Sequence, residues 1–221
     1  MKNVTKGEKA HLLLWLLLLL LTVVFYSRLP EEIPIHWNSL GEVDSVGGKA
    51  AAFLPMAVMA GIFVLYKYLP KIDPKKENYP RFQGAYRSLF GALSLLMAMI
   101  QFSTLYMAFS GKSLPMSIAV NVAMGLLLLF IGNQMPRLKH NYFVGIKTPW
   151  TLANEDIWWK THRFAGRAWV LGGGIIILAA FLPQSMRGIA SPGVLILIVV
   201  LPIAYSYWLF HKLTKGGASQ K

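Results

Sequence analysis

Apolar residues in this chain gather into six long runs, at approximately 11–28, 50–69, 87–109, 114–132, 164–182 and 193–211, with polar connectors between them. Each run has the length that an α-helix needs to cross a bilayer core of ~30 Å while satisfying its own backbone N–H and C=O groups. Their central turns hold no Asp, Glu, Lys or Arg, which argues against an ion or proton pathway; Gln101 and Asn121 are the strongly polar residues at depth and read as interhelical hydrogen-bonding groups. Ser113 with Pro115 and Ser191 with Pro192 read as helix starts, and Pro183 as the stop of the fifth run. Tyr66 and Tyr68, and Tyr205, Tyr207 and Trp208, read as ring anchors at headgroup level. Ala57-x-x-x-Gly61 and Ala119-x-x-x-Ala123 offer close helix approach, and Gly172-Gly173-Gly174 and Pro202 are places for bending or tight packing.

Composition agrees with the pattern: 55% of the 221 residues are hydrophobic and 14% charged, which places the chain in the membrane class. With no cysteine, disulfides, thiol chemistry and zinc–thiolate sites are excluded. Lys2, Lys6 and Lys9 precede the first run as in a signal peptide, yet the run is too long and no small-residue cleavage site follows, so it reads as an uncleaved first transmembrane helix. The formal charge of +13 matters through its placement, and it does not point to direct nucleic-acid binding. With a cytoplasmic N-terminus, 18 of the 22 Lys and Arg fall in inside segments, as the positive-inside rule requires. The expected fold is therefore an all-α membrane protein, a six-transmembrane-helix bundle with both termini cytoplasmic, multi-pass in the cell membrane. Residues 1–110 form an N-terminal membrane region of helices 1–3 with an extracytoplasmic LPEEIPIHWN loop; residues 111–221 hold helices 4–6 with a cytoplasmic loop, 132–167.

Two polar islands carry the candidate chemistry. Outside, residues 29–44 hold four of the nine acids, Glu31, Glu32, Glu42 and Asp44. Ile33, Ile35 and Trp37 alternate with Pro34, His36 and Asn38, the period of an extended strand, and Asn38-Ser39-Leu40-Gly41 supplies a turn. The segment is either a recognition edge for a cationic extended peptide or an ordered connector over the helix ends. One histidine without fixed acid spacing makes no metal site.

Inside, residues 132–167 carry three of the seven tryptophans and two of the five histidines. Pro136 ends the fourth helix, residues 142–146 are too short to span and pack on the bundle, and Thr148-Pro149-Trp150 reads as extended. Asn154 is a good N-cap for a helix that starts near 155 and continues into the fifth run, presenting Lys160, Arg163 and Arg167 as one basic stripe. Three readings stand: an interfacial helix on lipid phosphate, a site for a cytoplasmic partner or anion built from Lys147, Thr148, Trp150, His162 and Arg163, or catalysis. Catalysis is the weakest, because HExxH, GxSxG and Walker patterns are absent and no nucleophile accompanies His162.

At these residues the chain resembles the SdpI family of bacterial membrane proteins. Asn133, Lys139, Asn141, Gly145, Lys147, Thr148, Pro149, Trp150, Thr151, Trp158, Lys160, Thr161, His162 and Arg163 resemble its signature loop. Leu29-Pro30, Ile33-Pro34, His36, Trp37, Asn38, Gly41 and Asp44 resemble the uncharacterised N-terminal domain that accompanies it. Lys147 stands where arginine is expected, His140 where proline is, and Trp159 where a polar residue is. The resemblance implies immunity to a secreted membrane-active peptide toxin, with His36, Trp37, Asn38, Gly41 and Asp44 as the recognition loop. The alternative it implies is a receptor–transducer whose inner loop sequesters a small transcriptional repressor; no cofactor, metal or catalytic residue is implied.

Overall fold

A computed structural model describes residues 5–38, 40–110 and 116–218, with backbone alone at 108, 109, 117 and 215–218. Among these residues the chain runs as α1 (Lys6–Phe25), a hairpin of β1 (Glu32–Trp37) and β2 (Val43–Gly48), α2 (Leu54–Ile72), α3 (Tyr79–Ser110), α4 (Met116–Gln134), the short α5 (Pro149–Ala153), α6 (Glu155–Ala179) and α7 (Gln184–Ala218). Helices α1, α2, α3, α4 and α7 are long and apolar enough to cross a membrane. Their outward faces expose large aliphatic side chains, including Leu13, Leu17, Ile189 and Ile196, as lipid contact requires. The protein is an all-α multi-pass membrane protein with one small hairpin added.

The fifth apolar run belongs to α6, which falls short of that apolarity. Its first turns are polar and its middle is glycine-rich, because it packs between α4 and α7, while Leu171, Ile175 and Leu178 face outward. It nevertheless runs the full length of the bundle. Thr148, just before it, bonds Ser206 of α7 (3.1 Å), while Arg187, near the other end of α7, donates to Ala180 O just after it (3.1 Å).

Small residues bring α4 and α6 together. A Cβ on Gly132 would lie 2.8 Å from Gly166 O, and one on Gly125 would lie 2.7 Å from Gly173 O. Each helix offers two glycines seven residues apart, two turns along one face, so antiparallel backbones touch at two levels. Gly172 faces Ile198 and Val194 of α7, so two of the three consecutive glycines serve packing, a Cβ on Gly174 would meet nothing within 4 Å among the described residues, and α6 continues through all three as helix. The approach expected at Ala57-x-x-x-Gly61 does not occur: a Cβ on Gly61 would meet nothing within 4 Å among the described residues.

Two prolines inside helices free carbonyls that lipid cannot satisfy, and in each case an aromatic donor from a neighbouring helix does so. Pro202 has no N–H for Ile198 O, and Trp169 Nε1 donates there from α6 at 2.9 Å. Pro70 leaves Tyr66 O, and the Tyr86 hydroxyl donates there from α3 at 3.0 Å. Gln101 Nε2 donates to Thr22 Oγ1 of α1 (2.8 Å), and Asn121 Oδ1 accepts from Ser191 of α7 (2.7 Å). Both polar residues thus link helices, as their placement at depth implies.

Several boundaries differ from expectation. Pro192 lies inside α7, which starts eight residues earlier at Gln184, and Ser191 serves Asn121 rather than capping a helix. The pair Ser113 and Pro115 lies outside the described residues. Tyr66 belongs to an inner aromatic core with Tyr79, Phe82, Tyr86 and Trp158. After extended Thr148, Pro149 and Trp150 are helical: proline's fixed φ suits a first turn and needs no N–H.

In the hairpin, Asn38 Oδ1 accepts from the N–H groups of Leu40 and Glu42, and Gly41 takes φ 78°, the turn chemistry read from the sequence; Ser39 lies outside the described residues. The second strand was not expected, because Val43–Gly48 lacks an alternating apolar pattern. It pairs antiparallel with Glu32–Trp37, whose Ile33 and Trp37 point into the bundle end.

The proline account has a double-mutant test. Trp169→Phe strands Ile198 O and is expected to lower unfolding stability in lipid by about 1 kcal/mol. Adding Pro202→Ala restores the helical N–H and should remove most of that loss; an unchanged cost in the double variant would refute the pairing.

Candidate functional site

The end of the bundle that the Lys and Arg distribution predicts to be cytoplasmic, the inner end, is closed by a loop that builds itself from one asparagine. Pro136 turns the chain out of α4, and the next residues have no regular ladder for their backbone groups. Buried Asn141 supplies the partners: its Oδ1 accepts from Phe143 N (2.9 Å) and Val144 N (2.7 Å), and its Nδ2 donates to Lys139 O (2.8 Å) and Val144 O (2.9 Å).

The connector between α2 and α3 holds this loop from the other side. Asp73, 2% exposed, accepts on Oδ2 from Tyr142 N (3.0 Å) and from the Tyr79 hydroxyl (2.9 Å). Asn78 Nδ2 donates to His140 O (2.9 Å). Neither Asp73 nor Asn78 was singled out from sequence, since a lone polar residue in a short connector carries no sign of a partner some seventy positions away.

His162 is the keystone on α6. Its Nδ1 faces Trp158 O (2.8 Å) and its Nε2 faces Ile146 N (3.0 Å), so Nδ1 carries the proton and Nε2 accepts. The ring stacks on Trp158 at 4.1 Å, and the Trp158 indole donates to Leu138 O (3.0 Å). Gly145, at φ 120°, passes so close that any Cβ there would strike the His162 ring. Burial pushes the His162 pKa down to about 4, against a raising effect from the Trp158 carbonyl and with a further lowering from nearby His140. Here His162 is a neutral structural acceptor that fixes a backbone amide.

Thr148 and Thr151 form a reciprocal cap for α5, and Thr151 Oγ1 also donates to Ile146 O (2.8 Å). Thr161 is buried beside this cluster; its hydroxyl and both ring nitrogens of His140 have no hydrogen-bond partner among the described residues, although Glu155 Oε1 lies 3.5 Å from His140 Nδ1. Asn133, Lys139, Lys147, Pro149 and Arg163 are exposed. Lys160 is half-buried, as is Trp150, which leans on Tyr207 at 5.0 Å; Arg163 lies over Trp159 at 4.6 Å. The structure thus divides the expected cluster. Thr148 and His162 are committed to the scaffold, while Lys147 and Arg163 face outward, so the five do not line one recess.

At the opposite end, the hairpin brings His36, Trp37, Asn38, Gly41 and Asp44 together. Trp37 is buried, and Asn38 and Gly41 make the turn; the exposed pair is His36 Nδ1 with Asp44 Oδ1 at 2.5 Å. Glu42 ties the turn to the start of α7 through Gln184 Nε2 (3.0 Å). No group of three metal-capable side chains occurs among the described residues.

Residues 137–206 match the SdpI/YfhL protein family, and residues 13–60 match a domain of unknown function, DUF1648. The chain is also 28% identical over 194 residues, 88% of its length and 91% of the relative's, to the protein named Immunity protein SdpI from Bacillus subtilis (strain 168). The region similar to the SdpI/YfhL family begins at the inner loop and takes in α5, α6 and most of α7, while the region similar to DUF1648 covers most of α1, the hairpin and the start of α2. The two matched regions therefore supply the two ends of the bundle. No solved structure matches this chain.

Because His162 is neutral when buried and has an ordinary value of 6.5, the unfolded chain binds the extra proton first. Stability should fall as pH drops from about 6.5 towards 4, by about 3 kcal/mol at most, and be flat above. Thermal unfolding in nanodiscs across that range, with His162→Gln as the variant that loses this acid-sensitive step, checks it; equal stability at both extremes would contradict the assignment.

Proposed function

We propose that this protein belongs to the SdpI family and is an immunity protein that protects the bacterial cell against a secreted, membrane-active peptide toxin. The observation that carries this reading is the likeness to Immunity protein SdpI along nearly the whole of both chains. The hairpin lies outside the cell membrane and the signature loop in the cytoplasm, with α6 as a sixth crossing. The distribution of Lys and Arg supports that orientation. Toxin recognition falls to the hairpin end, where His36 and Asp44 remain exposed. Protection works by binding; the inner polar groups are committed to holding the loop, which gives no support to a catalytic role.

A second reading is favoured by the outward cations at the inner end. Lys147 and Arg163, with Trp159 beneath the guanidinium, offer a surface to a cytoplasmic partner, and a small transcriptional repressor held at the membrane fits the receptor–transducer alternative. Membrane lipids contact the helix faces in either case.

Expression in a sensitive host should raise the concentration of toxin needed to kill by about tenfold or more, a modest 1.4 kcal/mol or greater in effective binding. Unchanged sensitivity to every peptide secreted by the producing organism and its neighbours would reject immunity. Trp150→Ala with Arg163→Ala then separates the readings: loss of a cytoplasmic partner in pull-downs with protection intact assigns the inner loop to signalling alone.

A further inference from the structure

The two helix groups, α1–α2–α3 and α4–α6–α7, are joined at the inner end by the aromatic core, but in the outer half they part. Between α3 and α4, under the hairpin, lies a cleft of about 240 Å³. Met99 and Ile100 line it from α3, Ala119, Ala123 and Met124 from α4, and His36 roofs it. The Ala119-x-x-x-Ala123 motif, which could have drawn another helix close, instead leaves this wall low. Methionines supply deformable sides that adapt to different apolar shapes. At the mouth the character changes: Asp44, exposed, is bonded to the same His36 that forms the roof, and Glu42, also exposed, stands in the adjoining turn.

We infer that the cleft receives apolar side chains from the helical segment of a cationic, membrane-inserted peptide, whose positive end rests against the hairpin carboxylates. Its volume suits a row of side chains from a helix lying along the groove, rather than a whole helix. The order of the surfaces matches such a guest: apolar and adaptable at membrane depth, acidic at the outer edge. A zwitterionic lipid would meet the apolar part equally well but would gain nothing net from the carboxylates. The nature of the guest rests on the immunity reading; the geometry of the cleft does not.

The test uses the full chain in phosphatidylcholine nanodiscs and a synthetic Leu/Ala helical peptide with lysines at one end and a photoreactive leucine at mid-length. On the unsubstituted protein, saturable cross-links are expected at Met99 and Met124. Ala123→Leu, which fills the groove, should cut their yield about tenfold, and Asp44→Asn with Glu42→Gln should cut it several-fold relative to a peptide with glutamine in place of lysine. Gly61→Leu, which adds the same bulk where space is open, should leave it unchanged. Cross-links scattered over α1 and α7, capture of photoreactive phosphatidylcholine alone at the cleft, or cross-linking to a second copy of the chain would overturn the assignment. The two readings fail separately. A protein that gives no protection yet takes the probe in the cleft sinks immunity alone, whereas full protection by a folded Ala123→Leu variant sinks the cleft alone.

Discussion

Backbone contact between α4 and α6 is the constraint on which the rest of the structure depends. Glycines at 125 and 132 face glycines at 173 and 166, with room for no Cβ at either level. In lipid, helices gain no hydrophobic drive to associate, so close packing and polar links must hold them. Two contacts seven residues apart fix both depth and rotation of α6. Gly172 then sets α7 on its other side, and Trp169 reaches the carbonyl that Pro202 exposes. A small shift of α6 would break all three arrangements together.

That fixed helix also positions the inner loop. Trp158 and His162 lie on the first turns of α6, beyond its buried middle, and reach back to Leu138 O and Ile146 N. The loop is held from the opposite side by Asp73 and Asn78. Asn141, Gly145, Thr148, Thr151, Trp158 and His162, all among the residues that resemble the SdpI signature, therefore build the loop. What they present is a firm surface with Lys147, Arg163 and Trp159 outward. At the other end the bundle is looser, and the hairpin spans the opening between the two helix groups.

The membrane-spanning pattern was legible because lipid exposure imposes it on composition. A helix from about 155 into the fifth run was legible too, but its packing was not, because glycine there records a close approach that hydropathy scores as weakness. The Asn154 cap, the turn at Asn38–Gly41 and the linking roles of Gln101 and Asn121 could be read because each depends on local chemistry or on depth. Partners distant in sequence could not. Nothing local joins Asp73 to Tyr142, and Gly125 gives no hint of Gly173. Pro192 misled because its fixed φ fits the interior of a helix as well as its first turn. The candidate site was half legible: the loop stood out by its composition, but whether His162 binds a partner or a backbone amide depends on burial.

We propose that α6, despite its modest apolarity, runs from one face of the membrane to the other and so separates the inner loop from the hairpin. Alkaline phosphatase and green fluorescent protein, each inserted in the full chain at Lys139 and at Pro183, test it most directly. Opposite activities are expected at the two sites: fluorescence alone at Lys139 and phosphatase alone at Pro183. The same reporter active at both positions would show that α6 turns back without crossing, and the separation of the two ends would be lost.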